Sequence, residues 1–192
     1  MRKIKNFRVN LRVREITRVI KKLINAPELP VEIEEAVQRG CHFYSKFIVP
    51  CVVYDAFAKD ALPFVYEKDA PAKWAAQSIF FLTIGRQLQE EFKKNEEAFG
   101  EHTGKIVSAV AVDALEQSKN FIQRLIAGEA EEENCELSRS VELPADLYAE
   151  AAKLLPIDKI GVSIDDGTLE PQYSCCGLFY WMPSKKKSKT AK

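Results

Sequence analysis

The sequence predicts an α+β fold, with a long central helix packed on a small, mainly antiparallel sheet, and three observations carry that reading. Helix-period and strand-type segments mix without regular alternation. Residues 105–126 hold the longest helical pattern and the most apolar uninterrupted run. The chain then closes on two strand-like segments, 160–164 and 174–181, the first followed by an Asp165-Asp166-Gly167 turn.

Taken in order, 10–23 is an amphipathic helix with Leu11, Ile16, Val19, Ile20 and Leu23 inward and Arg12, Arg14, Arg18, Lys21 and Lys22 outward. Two prolines within 25–30 end it. A second helix over 32–43 follows from Val31, Ile33, Ala36 and Val37. Segments 47–53 and 62–66 are rich in strand formers, and 78–84 is a short apolar run ending at Gly85 that suits a strand inside a sheet. A charged helix over 86–98 places Leu88, Phe92 and Phe99 inward.

On the long helix, Val107, Val110, Ala114, Ser118, Phe121 and Leu125 recur at steps of three and four and form one stripe toward the core. Ser108, Ala109, Ala111 and Ala114 are small enough for another element to approach closely. Thr103 is placed to cap the start and Gly128 the end. Asp113, Glu116, Gln117 and Ser118 interrupt the apolar surface, either as a solvated flank or as a polar cleft against the helix. An acidic loop over 128–136, a strand over 137–143 and a helix from Pro144 to about Leu154 lead into the closing strands.

At 192 residues the chain is long enough to bury about 70% of its unfolded surface in one core. The domain is expected to span 1–183, with 1–30 as an N-terminal helical arm and 184–192 as a disordered lysine-rich tail. Five of the 28 basic residues are lysines of that tail, which leaves 23 against 28 acidic ones and a mildly acidic body. Binding to nucleic acid wants a basic face on the body, so no nucleic-acid partner is expected. Five cysteines without regular spacing argue for a reducing compartment, and neither a leader nor a run of 18 apolar residues is found, so the expected location is cytoplasmic, away from the membrane.

Glycine-rich phosphate loops and His-Glu-x-x-His are absent. His42 and His102 lack ligand-type neighbours at zinc spacing, and Cys41 and Cys51 suit small core positions. Cys175-Cys176 is more unusual. Adjacent residues of a strand point to opposite faces, so one thiol inward and one outward is expected; a vicinal redox pair or thiolate ligand stands beside plain packing.

Two stretches resemble the activation domain of cobalamin-dependent methionine synthase and its short stand-alone relatives. The first is Ile79-Phe-Phe-Leu-Thr-Ile-Gly85, a charged helix, then Val110-Ala-Val-Asp-Ala-Leu-Glu116. The second is Ile160-Gly-Val-Ser-Ile164 and Pro171-Gln-Tyr-Ser-Cys-Cys-Gly177, similar to a closing segment with Ser-x-Ser-Gly in which Cys176 replaces the second serine. Val13-Arg-Glu-Ile-Thr-Arg18 is similar to the opening helix of the stand-alone forms. The family's arginine followed four residues later by Gly-Tyr-Pro has its nearest match in Arg139-Ser-Val-Glu-Leu-Pro144, without the Gly-Tyr pair.

The resemblance implies a protein that supports reductive reactivation of a cobalamin-dependent methyltransferase, with S-adenosylmethionine as methyl donor and cobalamin presented by a partner. It places S-adenosylmethionine near Asp113, Glu116, Arg139 and Pro144, and turns Tyr173, Ser174, Cys175, Cys176 and Gly177 toward the corrinoid. The implied partners are a corrinoid protein or methyltransferase and an electron-donor protein. A non-enzymatic adaptor of the same fold, without adenosylmethionine binding, is the alternative that the missing Gly-Tyr pair raises.

Overall fold

Ile79-Phe-Phe-Leu82 and the run from Cys175 to Trp181 have no polar face, and strands of that kind must be covered on both sides. The computed structural model, which describes residues 1–61, 66 and 69–184, covers them. In chain order the elements are β1 (Arg2–Lys5), α1 (Val13–Leu23), α2 (Val31–Tyr44), β2 (Cys51–Ala58), β3 (Ala76–Thr83), α3 (Gln87–Lys94), α4 (Thr103–Glu132), β4 (Cys135–Leu137), β5 (Val141–Glu142), α5 (Tyr148–Leu154), β6 (Ser163–Asp165), β7 (Thr168–Glu170) and β8 (Ser174–Pro183). The main sheet runs β1-β2-β3-β8-β4, with β5 also on β8, and its pairings are antiparallel. Strands β6 and β7 form a separate hairpin.

Register decides what each face buries. Val53, Phe81 and Cys176 lie side by side, and with Ile79 and Leu178 they pack against Ala151 of α5 and against Leu155, Ile160, Val162 and Leu169. Val52, Leu82 and Cys175 line up on the other face, where Phe80 and Phe179 join Ile122, Ile126 and Ala130 of α4. Outside that layer, Ile16 and Ile20 of α1 and Val37 and Tyr44 of α2 bury their side chains with Ile106 and Val110 of α4. The approach of α2 is close enough that a Cβ on Gly40 would sit 2.6 Å from Ile106 Cγ2.

The mixed fold and long helix agree with the sequence reading, but several boundaries move. Helix α4 runs through Gly128 to Glu132, because Ala130 is buried against the sheet and tertiary packing outweighs the roughly 1 kcal/mol cost of a helical glycine. The break comes at Asn134, in the left-handed region at φ +58°. Thr103 is the first helical residue, not a side-chain cap of α4. Its hydroxyl accepts from Phe99 N–H at 3.0 Å and donates to the Gly100 carbonyl at 2.6 Å, closing the preceding turn.

The strand expected over 47–53 begins after Pro50 and extends to Ala58, while most of the strand expected over 62–66 lies outside the described residues. Helix α3 stops at Lys94, where the Asn95 side chain donates to the Glu91 carboxylate at 2.7 Å. The strand expected over 137–143 is two short pieces, β4 and β5. The helix expected from Pro144 starts with a 3-10 turn and becomes α-helical at Tyr148. Residues 157–160 form a 3-10 turn ahead of β6, and β1 is an edge strand that the sequence reading did not separate from the basic N-terminus. Arg2 Nη1 and the Tyr54 hydroxyl both reach Glu129 Oε1 at 2.8 Å, which ties that edge to α4.

Strand β5 approaches β8 where β8 has no side chain. A Cβ on Gly177 would lie 2.7 Å from the Val141 carbonyl oxygen and 2.8 Å from Phe80 Cζ. Backbone cannot move aside as a flexible side chain does, so Gly177→Ala is expected to lower the unfolding free energy by about 2 kcal/mol in urea titration.

Candidate functional site

The polar positions in the centre of α4 form a socket for Arg12. Its backbone N–H donates to Asp113 Oδ2 at 2.8 Å, and its Nε and Nη2 reach Asp113 Oδ1 at 2.9 and 2.8 Å. Nη2 also lies 3.0 Å from Glu116 Oε2. With its amide turned to satisfy both ends, Gln117 adds an acceptor for Nη2 at 3.0 Å. Asp113 is 3% exposed, so the carboxylate is desolvated and its charge is compensated by a guanidinium that α1 carries in. Ser118, the fourth interrupting residue, donates back to the Ala114 carbonyl at 2.8 Å. Of the two sequence readings of this patch, solvated flank or cleft, the structure gives a third: a filled socket.

The residues singled out in the closing strand divide between the two sheet faces. Cys175 packs on the α4 side and Cys176 on the α5 side, and both are buried. The expectation of one outward thiol fails because helices or loops cover β8 on each face. Burial pushes the Cys175 thiol up to about 12 and raises that of Cys176 as well, the opposite of what a reactive or ligating thiol needs. Gly177 is enclosed by Val141 and Phe80. Tyr173 turns its ring toward the α1–α2–α4 layer, where its hydroxyl is bonded to the Ser108 side chain. Among the described residues, no three or more His, Cys, Asp or Glu side chains are grouped to hold a metal ion.

Ser174 is different. At the start of β8 it borders a cleft of about 440 Å³ with Gln172, the hairpin residues Gly167 to Glu170, and Ala145 and Tyr148. The hairpin turn that forms one wall needs positive φ at Asp166 (+44°) and Gly167 (+76°). Its other wall is the turn after Pro144, whose carbonyl accepts from Leu147 N–H at 3.0 Å. Ser174 itself donates to the Pro171 carbonyl at 2.6 Å and fixes the bend into the strand. Burial raises the Tyr148 hydroxyl pKa, with smaller contributions from Cys176, Glu142 and Cys175.

The structure scatters most of the expected set. Ser174 lines the cleft, and Pro144 stands immediately before Ala145 of its wall. Arg139 is exposed between β4 and β5, its carbonyl accepting from the Ser138 hydroxyl at 2.7 Å. Asp113 and Glu116 belong to α4, which covers the opposite sheet face from α5 and the hairpin. Tyr148 and Gln172 were missed by sequence reasoning. Tyr148 stands four residues past Pro144, and that proximity was the only signal.

The backbone of the whole chain can now be set beside known structures. In fold, the chain is similar to the MetH reactivation domain. The crystal structure of that domain bound to AdoHcy superposes with a TM-score of 0.60 at 12% identity, covering 97% of this chain and 80% of that one. No protein-family model and no curated protein matches the sequence. The mixed helix and antiparallel sheet with a long helix is therefore the reactivation-domain architecture, and at this identity the likeness speaks for the fold alone. No helix among the described residues is long and apolar enough to cross a membrane.

Two outcomes follow from the buried groups. Arg12→Ala leaves the Asp113 carboxylate desolvated without its partner and is expected to cost about 2–3 kcal/mol in urea unfolding, whereas Glu116→Gln, at the exposed rim, is expected to cost under about 1 kcal/mol.

The second concerns alkaline pH. The Cys41 thiol is pushed up to about 11 and that of Cys175 to about 12, chiefly by burial, from an ordinary 9.0. Burial and the hydrogen bond to Glu129 push the Tyr54 hydroxyl to about 12 from 10.0. The native state keeps these protons at pH values where the unfolded chain loses them, so this contribution is complete below about pH 9 and declines above it. The urea midpoint is expected to fall between about pH 8 and about pH 10.5, while native thiols stay unreactive to a chromogenic disulfide at the lower pH. A flat midpoint across that range contradicts the assignment.

Proposed function

We propose that this chain is an activation-domain-like protein that interacts with a corrinoid protein, supports reductive reactivation of a cobalamin-dependent methyltransferase, and takes an S-adenosylmethionine-class ligand in the cleft between α5, the hairpin and β8. The observation that carries the proposal is the convergence in that cleft of two sequence-distant stretches, one contributing Ala145 and Tyr148 and the other running from Gly167 through Ser174. The likeness to a reactivation domain bound to AdoHcy supports the same ligand class.

The residues present fit such a ligand. A volume of about 440 Å³ falls within the range of roughly 300–1,000 Å³ for small-molecule sites. Tyr148 offers a ring face for a cationic sulfur or for stacking on a base. Gln172, Thr168 and Ser174 offer hydrogen-bonding groups for a sugar and an amino-acid end, and Glu170 at the rim offers a carboxylate. When bound, the ligand supplies a methyl group on a positively charged sulfur. The chain's part is to hold that sulfonium against Tyr148 and Glu170, to exclude water with the hairpin wall, and to leave the open side of the cleft to a docked corrinoid protein. An electron-donor protein completes the reductive reading.

The second reading, a non-enzymatic adaptor without adenosylmethionine, is favoured by two observations. Leu143, which stands immediately before Pro144 where the family has tyrosine, is a buried core residue that donates its N–H to the Cys176 carbonyl at 3.1 Å. Asp113 and Glu116 are already engaged by Arg12.

Calorimetric titration with S-adenosylmethionine and S-adenosylhomocysteine separates the two. Saturable binding is expected, weakened about tenfold or more in Tyr148→Ala. Absence of heat at near-millimolar ligand, together with retained binding to a cobalamin-loaded partner, selects the adaptor. Absence of both ends the proposal.

A further inference from the structure

The turn between α1 and α2 lies in the helical layer on the far side of the sheet from the cleft, and it carries an unusual surface. Val31, at the start of α2, is the most exposed large hydrophobic residue among those described, at 66%, and Leu23, at the end of α1, is 51% exposed. These two residues stand at the two ends of the connection over 24–30. Lys21 and Lys22 stand in the last turn of α1, Glu28 in the connection, and Glu32 and Glu34 in the first turn of α2. Among the described residues, none of these five makes an ion pair within its own molecule. The pairs nearby, Arg18 with Glu15 at 3.7 Å and Arg39 with Glu35 at 4.0 Å, stay within single helices.

Helix dipoles account for part of this pattern, since lysines favour the end of α1 and glutamates the start of α2. They do not account for two exposed aliphatic residues between the charges. A surface with cations on one side, anions on the other and an apolar centre is complementary to its own copy after a two-fold rotation, the commonest symmetry of soluble dimers. Nucleic acid would use the cations and leave the glutamates repelled. A uniformly acidic protein would meet the same repulsion. A second copy satisfies both halves.

We propose that the α1–α2 turn is an isologous docking surface for a second copy of this chain, with Leu23 and Val31 near the two-fold axis and the α1 cations of each copy facing the α2 glutamates of the other. The arrangement leaves both clefts open, because α5 and the hairpin lie on the opposite side of the sheet from α1 and α2. It does not depend on what the cleft binds.

Sedimentation equilibrium of the full chain tests the proposal. A concentration-dependent dimer is expected at low salt, its dissociation constant rising at least about tenfold between roughly 20 mM and 0.5 M sodium chloride as the charges are screened. Lys21→Glu with Lys22→Glu, and separately Glu28→Lys with Glu32→Lys, should each give a monomer, and mixing the two should restore a mixed dimer. Lys22, Glu28 and Glu32 are exposed and Lys21 is half-buried, and circular dichroism checks that the variants fold. Monomer at every salt concentration overturns the proposal, as does a dimer that survives both reversals or a mixture that stays monomeric. Should a variant not fold, the salt dependence of the unsubstituted chain and of Val31→Asp decides, with a dimer unaffected by either counting against this surface.

Discussion

Strand β8 is the constraint on which the rest of the structure depends. It pairs with β3 along one edge and with β4 and β5 along the other, and its side chains enter two different cores. A strand that is apolar on both sides cannot face water on either, so the long helix must lie on one face and α5 with the hairpin on the other. The close contact at Gly177 follows from the same demand, because β5 reaches the strand only where a side chain is missing.

That burial also determines the chemistry of the closing motif. Adjacent cysteines look reactive as letters in a sequence, yet each is placed in an apolar layer that disfavours its thiolate. What remains available at this end of β8 is the entrance to the strand, where Ser174, Gln172 and Tyr148 border open space. The chemically useful surface is displaced from the interior of the strand to its rim, as expected when backbone positions are fixed by packing and side chains at the ends are not.

Electrostatics follows a similar division. The acidic pair on α4 is spent on holding α1 in place through Arg12, a role in which a buried carboxylate needs its cation close and fixed. Of the remaining charges of α1, Arg18 pairs with Glu15, while Arg14, Lys21 and Lys22 are unpaired within the molecule. The basic arm is thus a clamp on one side and a free surface on the other. The cleft borrows no charge from it, because the sheet lies between them.

Much of this architecture was legible in the chain itself. Periodicity gave the long helix, the apolar run of 78–84 gave the central strand, and Asp165-Asp166-Gly167 gave the turn, since each is a local pattern with a local physical cause, while the strand that returns from that turn, β7, went unread. The irregular mixing of helix-period and strand-type segments pointed to the fold class. Tertiary structure alone decided that α4 continues past Gly128, that Asp113 faces Arg12 across 101 positions of sequence, and that Tyr148 and Ser174 share a cleft. Those outcomes depend on which surfaces meet, and a sequence fixes its own periodicity while the identity of the neighbour across a packed layer is set only when the chain has folded.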